Sequence, residues 1–298
     1  MAVQTGRVER AAIQHEAPSH RLTIIQLLAP ATLALVVFFV LPLLWLLRMS
    51  FNRGLPSGAI ESAFTLENYT TFLTDDFFVR EIVRTIQLGL GVTLLTLLAS
   101  YPIALFLARS TSRWRGVLVA LAIAPLLTST VVRTYGWMVL LGTDGVVNSV
   151  LSWIGFVDTP LRLINNMTGV VIGLVEILMP YMILGLLSGF GRFDRDLENA
   201  AMSLGAGPVR TFLRVTLPLS LPGIATGCLL VFVLTISSFV TPRLLGGGRV
   251  FLMATEVYNQ ATYTLNWPFA SAISFVLLLL FGVVITVYVR MLRTIEQQ

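Results

Sequence analysis

Six long apolar runs divide the chain, and polar segments rich in arginine separate them. The runs cover about 22–47, 82–108, 116–141, 168–190, 219–240 and 270–292. Each reaches the roughly 20 residues that an α-helix needs to cross the hydrocarbon core of a bilayer. The pattern therefore predicts an all-α membrane protein with six transmembrane helices. The first run follows a polar tail, 1–21, that carries Arg7, Arg10 and Arg21. It is too long for the roughly 7–15-residue apolar core of a signal peptide. It is expected to remain as the first transmembrane helix, with Pro30 and Pro42 kinking its ends.

One polar stretch stands out between the fourth and fifth runs, RFDRDLENAAMSLGAGPVRTFLRVTLP, residues 192–218. It is long for a plain connection, and long loops usually carry function. Asp196 can cap a short helix in which Leu197, Ala200, Ala201 and Leu204 recur on one face. Gly205 and Gly207-Pro208 end it. Ala200, Ala201 and Gly205 make a small surface shaped to fit into a partner.

Charge orients the chain. Arginines cluster in the tail, in 109–115, in 192–214 and at Arg290 and Arg293. Positive residues in short loops favour the cytoplasm, which places both termini and the 192–218 stretch inside. Only 12% of the 298 residues are charged and 56% are hydrophobic. The net charge of +5 thus reflects membrane topology and not nucleic-acid binding. All 20 basic residues are arginine. Without lysine there is no nucleotide-binding GxxxxGK[ST] loop and no Schiff-base chemistry. The single cysteine, Cys228, lies in an apolar run, and His15 and His20 lie in the polar tail. No metal site, cofactor site or catalytic cluster is expected of this chain.

Two ionisable residues fall inside predicted spans, Arg133 in the third and Glu176 in the fourth. Each is eight residues from the expected outer end of its helix. At 1.5 Å rise per residue, both lie roughly 12 Å deep. Charges there are costly, so they pair or face a polar cavity. One reading pairs Arg133 with Glu176. The other has Glu176 lining a translocation path and meeting a cationic substrate. Tyr135, Trp137 and Tyr181 lie nearby as path-lining or packing aromatics. GxxxG pairs at Gly169/Gly173, Gly185/Gly189 and Gly223/Gly227 predict close helix approach around the polar stretch.

The 192–218 stretch resembles the EAA loop of the permeases of ABC importers. That motif reads E-A-A, three residues, Gly, nine residues, an aliphatic residue, one residue, Leu-Pro. Here Asn199-Ala200-Ala201, Gly205, Val215 and Leu217-Pro218 stand at those places. The motif's glutamate is Asn199, with Glu198 one position earlier. The resemblance implies a coupling helix that seats in a groove of a cytoplasmic ATPase, with Glu198, Asn199, Ala200, Ala201, Gly205, Leu217 and Pro218 as coupling residues. In the family the glutamate can pair with a basic residue of the ATPase. Glu198 is the available substitute, aimed about 100° away.

Further stretches are similar to the spermidine/putrescine branch of these permeases. They are 131–151, 158–164, 173–186, 216–247 and 267–280, the last reading WPFASAISFVLLLL. The resemblance implies the importer-permease fold in a bacterial inner membrane. It also implies a second related permease, two copies of an ABC ATPase that hold ATP and Mg, and an extracytoplasmic substrate-binding protein. The implied cargo is a polyamine or related organic cation, with opine-like compounds, amino acid derivatives and metal ions as alternatives. A secondary transporter would show inverted repeats, and none is visible.

Overall fold

The computed structural model describes residues 20–55, 57–191 and 196–296, with side chains described for 28–55, 57–191 and 196–290. The expected tail lies almost wholly outside the described residues, as do Arg192 and Arg195 of the polar stretch. The chain divides into two compact units, Met1–Ser50 and Phe51–Gln298.

In the first unit, α1 (His20–Leu35) passes through a π-helical turn at Val36–Val40 into α2 (Leu41–Ser50). Leu33, Phe38, Phe39 and Trp45 all face outward, as a helix solvated by lipid allows. The π turn has a local cause. Pro42 lacks an N–H, and its ring collides with the carbonyl four residues back, at Phe38. A widened turn around that carbonyl absorbs the conflict. The same arrangement recurs in the second unit, where a π turn at Phe212–Thr216 surrounds Arg214, four residues before Pro218.

The second unit opens with a short antiparallel pair, β1 (Arg53–Gly54) and β2 (Ile60–Glu61). Then follow α3 (Glu67–Thr74), α4 (Asp76–Arg109), α5 (Arg115–Ile123), a 3-10 turn at Ala124–Leu127, α6 (Thr130–Leu141) and α7 (Val146–Trp153). Next come α8 (Met167–Phe190), α9 (Asp196–Ser203), α10 (Pro208–Thr211), the π turn and α11 (Leu217–Ile236). The chain closes with α12 (Val240–Leu245), α13 (Met253–Thr262) and α14 (Trp267–Glu296). Among the described residues, five helical stretches are long and apolar enough to cross a membrane, and a sixth if Arg115–Leu127 and Thr130–Trp153 count as one span.

That sixth span corrects the straight helix expected over 116–141. The chain bends by 95° there. Pro125 removes a helical N–H, and Thr128 takes an extended conformation with φ −98° and ψ 137°. Hydropathy does not register the break, because the side chains on both sides stay apolar. The depth of 12 Å for Arg133 therefore no longer applies, since it assumed an unbroken helix. Other boundaries shift too. Span five is helical from Pro208 and ends at Ile236, short of the expected 240. The segments expected as loops at 48–81, 142–167 and 241–269 hold α3, α7, α12 and α13.

Helix α8 is the centre of this unit. It packs against both α4 and α11, which also touch each other. A helix apolar on nearly every side, with Glu176 its one charge, belongs in such a place. Helix α4 is two-faced. Val92, Thr96, Ser100 and Ala104 are buried, while Leu90, Leu94, Leu98 and Phe106 face outward. In lipid, apolarity does not choose the inward face. Small residues do, because they let backbones approach. The closest approach is between α8 and α11. A Cβ on Gly185 would lie 2.6 Å from the Cα of Gly227, and one on Gly189 would lie 2.6 Å from the Cα of Gly223. The third pair serves elsewhere: Gly173 faces Leu245, and Gly169 faces the Leu163 carbonyl.

Before the N-terminal end of α4, the segment 64–74, FTLENYTTFLT, forms α3 from Glu67 onward. Its Phe72 is buried with Met253, Phe269 and Ile273. The Met253 N–H donates to the Thr85 hydroxyl at 3.1 Å, which ties α13 to α4.

Candidate functional site

Two clusters of polar side chains gather the residues singled out in the sequence. The first lies around α9. This helix ends in a Schellman motif: the Gly205 N–H donates to the Met202 carbonyl at 2.9 Å and the Ala206 N–H to the Ala201 carbonyl at 3.0 Å. Gly205 sits at φ +87°, a conformation that glycine adopts without strain. This is why the motif position is glycine. Asp196 is the first described residue of α9 and not its cap; the preceding residue, Arg195, lies outside the described residues.

The side chains of α9 divide by direction. Leu197, Met202 and Leu204 are exposed, Leu204 to 89%, and Val209 beyond the turn is exposed too. Asn199 and Ala200 are exposed and Ala201 is half-buried. Asn199 donates to Asp196 Oδ1 at 3.5 Å. Glu198 turns inward. Its Oε1 accepts from Arg109 Nη2 at 2.5 Å and from the Thr216 hydroxyl at 2.5 Å. Arg109 Nη2 also donates to Thr216 Oγ1 at 3.1 Å. Leu217 and Pro218 lie in the first turn of α11, the first half-buried and the second exposed. The expected loop of 192–218 is thus helical from Pro208 onward.

Sequence reasoning missed Arg109, Thr216, Tyr101 and Ser220 as members of this cluster. Tyr101 and Ser220 share a hydrogen bond of 3.0 Å. The Tyr101 ring lies edge-on to Phe190 and Phe212. Only Arg109 had a signal, as the first arginine of a short basic turn.

The second cluster is centred on Glu176 of α8. Arg133 Nη2 donates to Glu176 Oε1 at 2.7 Å and to the Glu176 backbone carbonyl at 3.2 Å. Arg133 Nη1 donates to the Pro125 carbonyl at 3.3 Å. Trp137 Nε1 donates to Glu176 Oε2 at 2.9 Å. One guanidinium therefore spans the break in the third span and clamps it to α8. It also donates to the Glu176 carbonyl, whose helical donor is missing because Pro180, four residues on, has no N–H. Both carboxylate oxygens of Glu176 are engaged. Tyr135 is exposed and Tyr181 is half-buried against the core; neither joins the cluster. Beside Glu176 lies a cavity of about 380 Å³ between α4, α5 and α8, walled by Phe106, Leu121, Pro125, Met179 and Ile183.

Comparison with known proteins gives this geometry a setting. The family model described as binding-protein-dependent transport system inner membrane component matches residues 100–297. The chain is 36% identical over 264 residues to the spermidine/putrescine transport system permease protein PotB of Escherichia coli (strain K12), covering 89% of this chain and 96% of that protein. Its fold matches a chain of a bacterial alginate ABC transporter in complex with alginate pentasaccharide-bound periplasmic protein, with a TM-score of 0.73 at 19% identity, over 93% of this chain and 96% of that one. It also matches a chain of the inward-facing MetNI methionine ABC transporter, with a TM-score of 0.56 at 15% identity, over 73% and 95%. The chain belongs to the family of binding-protein-dependent transport system inner membrane components, the multi-pass, non-catalytic permease subunits of ABC importers.

Proposed function

We propose that this permease carries a polyamine such as spermidine or putrescine, or a related organic cation, into the cell. The observation that carries this reading is the 36% identity to a spermidine/putrescine permease across 89% of the chain. The permease works with a second related permease, an extracytoplasmic binding protein that delivers the cargo, and two copies of a cytoplasmic ATPase that hold ATP and Mg. Nucleotide binding closes the ATPase pair, and differential contacts with two permease states switch access across the membrane.

Both termini, the basic turn at 109–115 and the polar segment at 196–214 face the cytoplasm in this reading. Support comes from the Arg109–Glu198 bond, which puts the two basic segments at one end of α4. The exposed apolar side chains of Leu197, Met202, Leu204 and Val209 form the surface that the ATPase covers. Asn199, Ala200, Ala201 and Gly205 complete that surface, while Leu217 and Pro218 set the angle at which α11 leaves it.

Leu204→Asp and Gly205→Arg are expected to cut ATPase co-purification about tenfold, the size of a hot-spot loss, with membrane levels unchanged. If both variants bind the ATPase and transport normally, the docking surface lies elsewhere. The cargo is tested by ATP hydrolysis of the reconstituted complex with its binding protein and a ligand panel. Stimulation by micromolar spermidine or putrescine is the expected result. Stimulation only by an opine-like compound, an amino acid derivative or a metal ion would reassign the cargo and leave the importer mechanism intact.

A further inference from the structure

We propose that Glu198 is an internal positioning residue, which locks the coupling helix to the end of span two and to the start of span five. This deepens the docking role given above to 196–209 and rests on it. The resemblance implies a motif glutamate that can pair with a basic residue of the ATPase. Here the acidic side chain points the other way. It is only 12% exposed, and its Oε1 is held by both Arg109 and Thr216.

The chemistry of the node is complete. The Thr216 hydroxyl gives its one proton to the carboxylate and accepts from the guanidinium at 3.1 Å. Thr216 itself is fully buried. Arg109 ends α4 and Glu198 lies in the first turn of α9, so each charge also opposes the partial charge of its own helix end. Two turns back along α4, Tyr101 bonds Ser220 of α11 and packs edge-on against Phe190 and Phe212. The end of α4, distant in sequence, is thus joined to α9 and the π turn by one ionic node, and to α8, the π turn and α11 by one aromatic node. A push on α9 from the ATPase reaches two transmembrane spans directly. Asn199, at the motif position, is exposed, neutral and bonded to Asp196.

The test uses the reconstituted complex with spermidine as cargo. Glu198→Gln and Arg109→Gln, singly and together, are assayed for ATPase co-purification, for spermidine moved per ATP hydrolysed, and for melting of the detergent-solubilised permease. Each single change is expected to retain the ATPase yet lower cargo moved per ATP about tenfold, the coupling expected within one hydrogen-bonded network. The double variant should be no worse than either single, and melting should follow the same non-additive pattern. The swap Arg109→Glu/Glu198→Arg should recover part of both readouts. Should Arg109→Gln behave as wild type while Glu198→Gln sheds the ATPase, Glu198 serves the partner and the proposal fails. Multiplying losses in the double variant would also overturn it. Failure of the docking reading is separate, since it shows as normal ATPase binding by Leu204→Asp.

Discussion

Replacing Gly185 or Gly189 with leucine is expected to abolish recovery of a folded permease, and alanine at either position to lower its melting temperature strongly. The cause is backbone against backbone. A Cβ at Gly185 would lie 2.6 Å from Gly227 Cα and 2.7 Å from its nitrogen, and one at Gly189 would lie 2.6 Å from Gly223 Cα. No flexible side chain can give way there. Helices α8 and α11 must separate, and α8 is the element against which α4 also packs. Overpacking a core costs about 1–3 kcal/mol when side chains can adjust. Here the cost lies at or above the upper end, because a whole interface opens. The matched control is Gly91, which is exposed on α4 with no atom near its missing Cβ. Gly91→Ala should melt as wild type or slightly higher, since alanine is the better helix former. Size-exclusion profiles and thermal unfolding in detergent distinguish the two sets. Equal behaviour of Gly185→Ala and Gly91→Ala would remove the α8–α11 contact as a stability determinant.

Glu176→Gln alone and Arg133→Gln alone are each expected to lose about 1–3 kcal/mol of stability, between the modest worth of polar pairs in membranes and the large cost of stranding one buried charge. Arg133 is the more buried partner, at 10% exposure against 35% for Glu176. Removing Glu176 therefore leaves the worse orphan. The double variant should recover part of the loss, because no charge is stranded. Its remaining deficit should reflect the Pro125 and Glu176 carbonyls, which also accept from Arg133. Uptake should follow the same order if the clamp sets the angle of the broken span against α8. If instead the cargo meets Glu176 directly, Arg133→Gln would free the carboxylate beside the apolar cavity and raise cargo affinity. Independent, additive losses in both stability and uptake would exclude a clamp.

Much of this molecule was legible in the amino-acid sequence. Apolar run length located the spans, because partition into lipid depends on each residue's own side chain and on helix length. The spacing from Asn199 through Gly205 to Leu217-Pro218 identified the family segment. Gly205 was readable as a helix end for a local reason, the left-handed φ that the Schellman turn requires. Arginine clustering supplied the proposed orientation.

What the sequence left open concerns how helices are rotated and which meet. The three GxxxG pairs look alike as text, yet only those at 185/189 and 223/227 face one another. Arg109 and Glu198 are 89 positions apart, and no spacing rule links them. That Glu198 points inward depends on how α9 is turned about its axis, which the exposed Leu197, Met202 and Leu204 on its other sides reflect. The break at Thr128 was hidden because hydropathy measures side chains and not backbone bonding. Only the fold shows that Arg133 bonds both the Pro125 carbonyl before the break and Glu176 of α8. Local chemistry determined where the chain enters the membrane. Tertiary packing decided which charged groups meet, because a charge held inside a membrane span is costly unless it is paired, and Arg133 and Glu176 pair across two helices.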